Sequence, residues 1–176
     1  MVNWDEIVRR EGPAVWRAAY RLLRNQADAD ECFQETFLAA LEISKRQQVR
    51  NWPALLKRIA TNRAIDRVRK RVRRRRREEA ADVALAEAKT GDAVQLAEAV
   101  ELADALQWAV GQLPLRQAEV FWLHEFGDAS HEQIADQLGI TVNAVGVILH
   151  RARGKLQELL QLRNHMSGVL KQQRPR

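Results

Sequence analysis

The stretch ALLKRIATNRAIDRVRKRVRRRRR, residues 54–77, decides how the rest of the chain is read. Leu55, Leu56, Ile59 and Ala60 recur at the spacing that puts side chains on one face of a helix. Ala64, Ile65, Val68 and Val72 continue the apolar stripe, but it drifts around the helix as the chain proceeds. Pro53 suits a helix start, where its missing N–H needs no partner. Between the apolar positions stand Lys57, Arg58, Asn62, Arg63, Arg67, Arg69, Lys70 and Arg71, followed by five arginines at 73–77. Cations one turn apart repel, so a purely structural helix gains nothing from this density. A polyanion laid against it offsets the repulsion and releases counterions. A solvated basic face or a basic address tract has the same composition. The interleaving of charge with core positions inside a folded element favours nucleic acid.

Charge is distributed in three blocks. Residues 1–77 hold 20 Lys/Arg against 9 Asp/Glu, residues 78–106 hold 1 against 8, and residues 107–176 hold 8 against 6. The net charges are therefore +11, −7 and +2, which describe a basic block, an acidic connector and a nearly neutral block. The 176 residues and the net charge of +6 fit one or two small domains with a polyanionic partner. Cys32 is the single cysteine, so an internal disulfide and a thiolate zinc cluster are excluded. The histidines at 124, 131, 150 and 165 show no paired ligand spacing, and no cofactor is expected. No apolar run approaches membrane-spanning length, and the first residues lack a signal-peptide core, so a cytosolic protein is expected.

Strand signals are nearly absent. The expected fold is all-α: two small helical domains joined by an acidic flexible linker, the second containing a helix-turn-helix. Asn3 caps a short helix that Gly12 ends, and a second helix follows Pro13, with Val15, Ala18, Ala19, Leu22 and Leu23 on one face. A third helix covers about 27–43, with Ala29, Cys32, Phe33, Thr36, Phe37, Ala40 and Leu41 as its apolar stripe. Its other face carries Glu31, Gln34, Glu35, Leu38 and Glu42. Such an acidic face in a basic block is either simply solvated or a protein-docking surface kept away from nucleic acid. The first domain is expected at 1–77, an acidic linker at 78–92, the second domain at 93–162 and a basic tail at 163–176. The two domains are expected to hold no fixed mutual orientation.

In the second domain, Pro114 separates two helices and Gly127 ends the second of them. Ser130 and Gln133 form a capping box before a short helix at 131–138. Gly139 supplies the turn, and Thr141 caps a last helix reaching about 162. Small Ala135, Gly139 four residues later and Val145 six beyond that have helix-turn-helix spacing, with Ile134, Leu138 and Ile140 filling the junction. Any αα-hairpin shares part of this pattern, but with the basic helix it points to DNA binding.

These residues together resemble the extracytoplasmic-function group of bacterial sigma factors over nearly the whole chain. ADADECFQETFLAAL is similar to the family's helix that binds the clamp helices of the largest RNA polymerase subunit. LLKRIATNRAIDRVRKR resembles the helix that captures and melts the promoter −10 element. LPLRQAEVFWLHEF and SHEQIADQLGITVNAVGVILHRARGKL resemble the domain that reads the −35 element. The resemblance implies a polymerase-binding set of Asp30, Glu31, Gln34, Glu35 and Leu38. It implies contact with the opened strand by Arg58, Asn62, Arg63, Asp66, Arg67 and Lys70. The acidic linker would thread toward the RNA path, and an anti-sigma factor is implied as a further partner.

The chain departs from the family at the recognition helix. A basic residue is usual at the position of Gly146, a small polar one at Val147 and often a basic one at Ile148. Leu55 stands where an aromatic is common. Within the set Thr141, Asn143, Gly146, Val147, His150, Arg151 and Arg153, base reading then falls to Thr141, Asn143 and His150. Arg151, Arg153 and Lys155 are left for phosphates. The competing reading is a stand-alone helix-turn-helix regulator, which leaves the acidic face and the arginine-rich helix without a role. An enzyme is disfavoured, since no nucleophile–base pair, phosphate loop or metal cluster is legible.

Overall fold

The computed structural model describes residues 2–81 and 94–172. Of the acidic linker expected at 78–92, residues 82–92 lie outside the described residues, as do Ala93 and the end of the tail at 173–176. Seven helices build the described chain, and it contains no strand.

The first three are α1 (Trp4–Leu23), α2 (Gln26–Arg46) and α3 (Trp52–Ala81). Each begins on an asparagine whose side chain accepts an otherwise unpaired N–H: Asn3 from Glu6, Asn25 from Asp28 and Asn51 from Ala54. α1 is one helix where two were expected. Gly12 does not end it. Instead the glycine is buried and makes room for α2, since a Cβ there would stand 3.3 Å from the Phe33 ring. Pro13 removes one donor from the ladder, but Ile7 before it and Val15 after it enter the same cluster, with Ala40, Leu56 and Ala60. Burying the side chains on both sides of the proline, at about 1.5–3 kcal/mol for each large one, holds the helix continuous. α1 ends at Arg24, which adopts the left-handed conformation (φ 50°) and donates its N–H to the Tyr20 carbonyl.

The second half comprises α4 (Val94–Gln112), α5 (Leu115–Glu125), α6 (His131–Leu138) and α7 (Val142–Gln172). The Ser130/Gln133 capping box forms, and Gly139 (φ 63°) takes the left-handed turn between α6 and α7. Such a φ costs L-residues strain that glycine escapes. α7 continues to Gln172, ten residues beyond its expected end at 162. Arg163 ties this extension back by donating to the Asp104 carbonyl and lying 5.7 Å over the Trp108 ring.

The two halves do not sit apart. One apolar cluster runs from Leu22 and Leu23 of α1 through Ala64, Ile65 and Val68 of α3 into Val110, Leu113, Val120, Leu123 and Ile134 of the second half. This accounts for the drifting stripe of α3. Leu56 and Ala60 face the bundle of the first three helices, while Val68 and Val72 turn toward α4. They meet it at Gly111, where an added Cβ would stand 3.0 Å from Val72 and 3.2 Å from Val68. A single helix thus supplies the core of its own bundle and the seat for the second half.

Candidate nucleic-acid interface

Three surfaces carry the residues singled out by the sequence. On α2, Glu31, Gln34 and Leu38 are exposed and Glu35 is half-buried, on the side away from buried Ala29, Cys32, Thr36 and Ala40. Leu38 is 63% exposed, far more than an isolated core-edge leucine needs. Cys32 is structural. Its thiol donates to the Ala60 carbonyl at 3.5 Å, and burial pushes its pKa up to about 11, away from thiolate chemistry. Thr36 donates its hydroxyl to the Cys32 carbonyl at 2.7 Å. Asp30 accepts from the Trp16 indole at 2.7 Å and so braces α1 against α2.

The acidic face of α2 and the basic face of α3 meet. Arg67 donates to Glu31 at 2.9 Å and to Glu35 at 2.8 Å, and Arg63 reaches Glu35 at 3.5 Å. Burial opposes the charge on Arg67, but the Glu31 hydrogen bond and the Glu35 carboxylate outweigh it and raise its pKa further. Arg71 pairs with Asp28 and donates to the Leu23 carbonyl at 3.4 Å. The residues implied for polymerase and for DNA are therefore joined in one ion-pair network along α2 and α3. Asp66 and Lys70 remain exposed outside these pairs.

Arg58 and Asn62 turn the other way, toward the second half. Both converge on Glu119 of α5, whose side chain is only 5% exposed. Arg58 Nε donates to Glu119 Oε1 at 3.0 Å and Asn62 Nδ2 to the same oxygen at 2.9 Å. Arg116 Nη1 reaches Glu119 Oε2 at 3.1 Å. A buried carboxylate needs such donors, since an unpaired buried charge is strongly destabilising. Arg58 also donates to the Gln137 carbonyl at 2.6 Å, Lys57 to that of Gly127 at 3.3 Å and Arg21 to that of Phe126 at 2.7 Å. An open cleft of about 760 Å³ flanks this seam, with Arg50 and Lys57 on one wall and Asp128 and Asp136 on the other.

On α7, Asn143, Val147, His150 and Arg151 are exposed together, while Val145, Leu149, Ala152 and Leu156 are buried. Gly146 faces open space, with no atom within 4 Å of an added Cβ. Ile148 is partly buried and packs against the core. Thr141 has a capping role, accepting the Ala144 N–H at 3.1 Å. Arg153 is held by Glu125, at 2.5 Å from Nη2 and 3.1 Å from Nε. The Arg153 hydrogen bond is also the main reason that the Glu125 carboxyl lies below its ordinary pKa.

Sequence reasoning passed over Glu119 together with its neighbour Arg116. A signal was available. Glu119 is the sole charge within AEVFWL, residues 118–123, and a carboxylate inside an apolar helix segment demands donors from elsewhere.

Comparison with known proteins finds two family regions in this chain. Residues 7–74 match Sigma-70 region 2, and residues 103–156 match Sigma-70, region 4. The ECF RNA polymerase sigma factor SigE of Mycolicibacterium smegmatis is 33% identical over 160 residues. That match covers 91% of this chain and 62% of SigE, so the chain spans under two thirds of that relative's length. The ECF RNA polymerase sigma factor SigW of Bacillus subtilis is 31% identical over 157 residues, covering 84% of this chain and 83% of SigW. Among solved structures, CnrH in complex with the cytosolic domain of CnrY superposes with a TM-score of 0.56 at 27% identity, covering 90% of this chain and 87% of that one. With both sigma regions present in order and relatives of this similarity along nearly its full length, the chain belongs to the ECF group of RNA polymerase sigma factors.

Proposed function

We propose that this chain is a dissociable promoter-specificity subunit of RNA polymerase, with no catalytic activity of its own, working in the cytoplasm. Residues 1–77 form the unit that docks on the polymerase clamp helices and opens the −10 element. Residues 93–162 form the unit that reads the −35 element, and the acidic stretch at 78–92 joins them. The observation that supports this reading is the pairing, in one chain, of a complete helix-turn-helix with a second, arginine-rich helix, α3. A stand-alone regulator needs only α6 and α7. It gives no reason for the arginine-rich end of α3, or for exposed Leu38 on a face rimmed by acids.

In the working complex, Glu31, Glu35, Gln34 and Leu38, with Asp30 bracing the face, meet the polymerase. Asn62, Arg58, Asp66 and Lys70 hold the unpaired strand, whose flipped base costs a few kcal/mol to unstack. Arg63 and Arg67 link the two functions mechanically through their ion pairs to α2. On α7, Asn143 and His150 read base edges, Val147 and Gly146 allow close apolar approach, and Arg151 and Arg153 meet phosphates. CnrH is in complex with the cytosolic domain of CnrY in its solved structure, and a partner protein of the anti-sigma kind is proposed for this chain. The test is affinity co-purification of this chain with core RNA polymerase, followed by a duplex-DNA shift of the free chain. Polymerase capture with weak duplex binding alone supports a sigma factor. Specific, tight duplex binding without polymerase supports the stand-alone regulator.

A further inference from the structure

We infer that Val147 determines sequence specificity in the second unit: it meets the C5-methyl group of a thymine in the major groove, so the upstream element that this chain reads carries a thymine there. This rests on the DNA reading proposed above for α7 and deepens it by naming the base and the group that is read. In a helix-turn-helix, the first turns of the second helix carry the side chains that reach base edges. Here those turns read VNAVGVIL, residues 142–149, with no acid, arginine or lysine before Arg151. Val145 and Leu149 are buried, and Ile148 packs against the core. At about 3.6 residues per turn, Val147 stands opposite the buried stripe of Val145, Leu149, Ala152 and Leu156, whereas exposed Val142 stands beside that stripe. The face turned outward in these two turns is therefore Asn143, Gly146 and Val147.

Val147 is 41% exposed at the centre of this face. A lone exposed valine is ordinary on a protein surface, but its company is not. Gly146 beside it and Gly154 two turns on both face open space, with no atom within 4 Å of an added Cβ. A β-branched residue and two glycines each lower helix stability relative to alanine. Helix stability therefore does not account for this face, whereas close approach of its backbone to another molecule does. Between the bare glycines, Val147 projects furthest toward the floor of a groove wide enough to admit one helix. Its branched hydrocarbon neither donates nor accepts a hydrogen bond. Opposite guanine, cytosine or adenine it would strip water from a donor or acceptor and return nothing. The thymine methyl is the apolar group that the major groove displays, and an aliphatic side chain can read it. Asn143, one turn earlier on the same face, fits the N6 and N7 groups of an adenine, and Arg151, one turn later, is left for a phosphate.

The test uses the full chain assembled with core polymerase. Duplexes are selected from a pool randomised across the upstream element, and the enriched sequence is synthesised with each thymine replaced in turn by deoxyuridine. That replacement removes the methyl group and keeps every hydrogen-bonding group. Competition binding of the assembled polymerase to each duplex is measured with wild type and with Val147→Ser, a small polar side chain of the kind usual at this position in the family. The expected result is one thymine whose methyl loss weakens wild-type binding about fourfold, as for burying one methyl-sized group. Val147→Ser should lose most of that preference. Should the serine variant lose its helical circular dichroism, Val147→Ala, a better helix former, takes its place. A selected element without thymine, or one whose thymine methyls are all dispensable, overturns the proposal. So does a variant that keeps the wild-type preference for thymine over deoxyuridine. If polymerase with the chain enriches no element beyond those enriched by polymerase alone, the promoter-specificity reading itself fails, and the thymine contact with it.

Discussion

Asn62 Nδ2 lies 2.9 Å from Glu119 Oε1, so a candidate strand-binding amide on α3 is seated on a buried carboxylate of α5. The residues are 57 positions apart, and their contact joins the two units of the chain. A substitution at Asn62 therefore acts on folding stability as well as on the strand binding proposed for it.

Asn62→Ala removes one donor from the carboxylate, a hydrogen bond to a charged group worth about 1.5–3 kcal/mol. The seam between the two halves should therefore lose stability, and the chain should lose its proposed grip on the unpaired base. Permanganate footprinting of unpaired thymines should show reduced promoter opening, with polymerase binding unchanged. Normal opening by this variant removes Asn62 from the strand site.

Leu38→Ala separates docking from stability more cleanly than charge reversal does. Leu38 is 63% exposed, so its loss should change the melting temperature little. If it anchors the polymerase, affinity should fall about tenfold per 1.4 kcal/mol lost. Glu31→Lys/Glu35→Lys places lysines against Arg63 and Arg67, so it should lower stability as well as polymerase capture. Equal capture by Leu38→Ala and wild type in a pull-down contradicts the docking role.

Gly146 sits inside α7 and faces open space, so alanine can replace it without a clash. Gly146→Ala should raise the stability of the second unit by about 0.5–1 kcal/mol. A side chain there also thickens the face proposed to meet DNA. Weaker promoter binding by this stabilised variant shows that the backbone approaches the groove closely, and unchanged binding shows that it does not.

The helix-turn-helix was legible to the residue. Ser130 and Gln133, Gly139 and Thr141 each impose a local geometry that does not depend on distant contacts. The stripe of α3 was legible too, along with its drift. What the drift meant was not legible, because the partner of Val68 and Val72 is a glycine, and Gly111 carries no side-chain signal of packing. Gly12 misled for a related reason: a glycine next to a proline reads as a helix end, yet here it accommodates Phe33 from another helix. Arg24 ends α1 in a left-handed conformation with no glycine to announce it. Glu119 was hidden in plain view, since its donors come from residues 57 and 61 positions away.

Acid should loosen the second unit through Glu125. Its folded-state pKa is depressed below the ordinary 4.5, chiefly by the Arg153 hydrogen bond. A depressed carboxylate contributes stability that is fully present above 4.5 and is lost as the pH falls through the lower folded value. Arg153→Ala should therefore flatten the pH dependence of the melting temperature below about pH 4.5, with little change in that dependence near neutrality. An identical acid profile in this variant means the pair is not formed in solution.

The central claim is that this chain directs core RNA polymerase to promoters. It is tested most directly by run-off transcription on fragmented genomic DNA from the source organism, using core polymerase with and without the protein. The account predicts discrete transcripts that require the protein, start at a limited set of shared sequence elements and disappear with Leu38→Ala at limiting polymerase. Transcript patterns identical with and without the protein would contradict it.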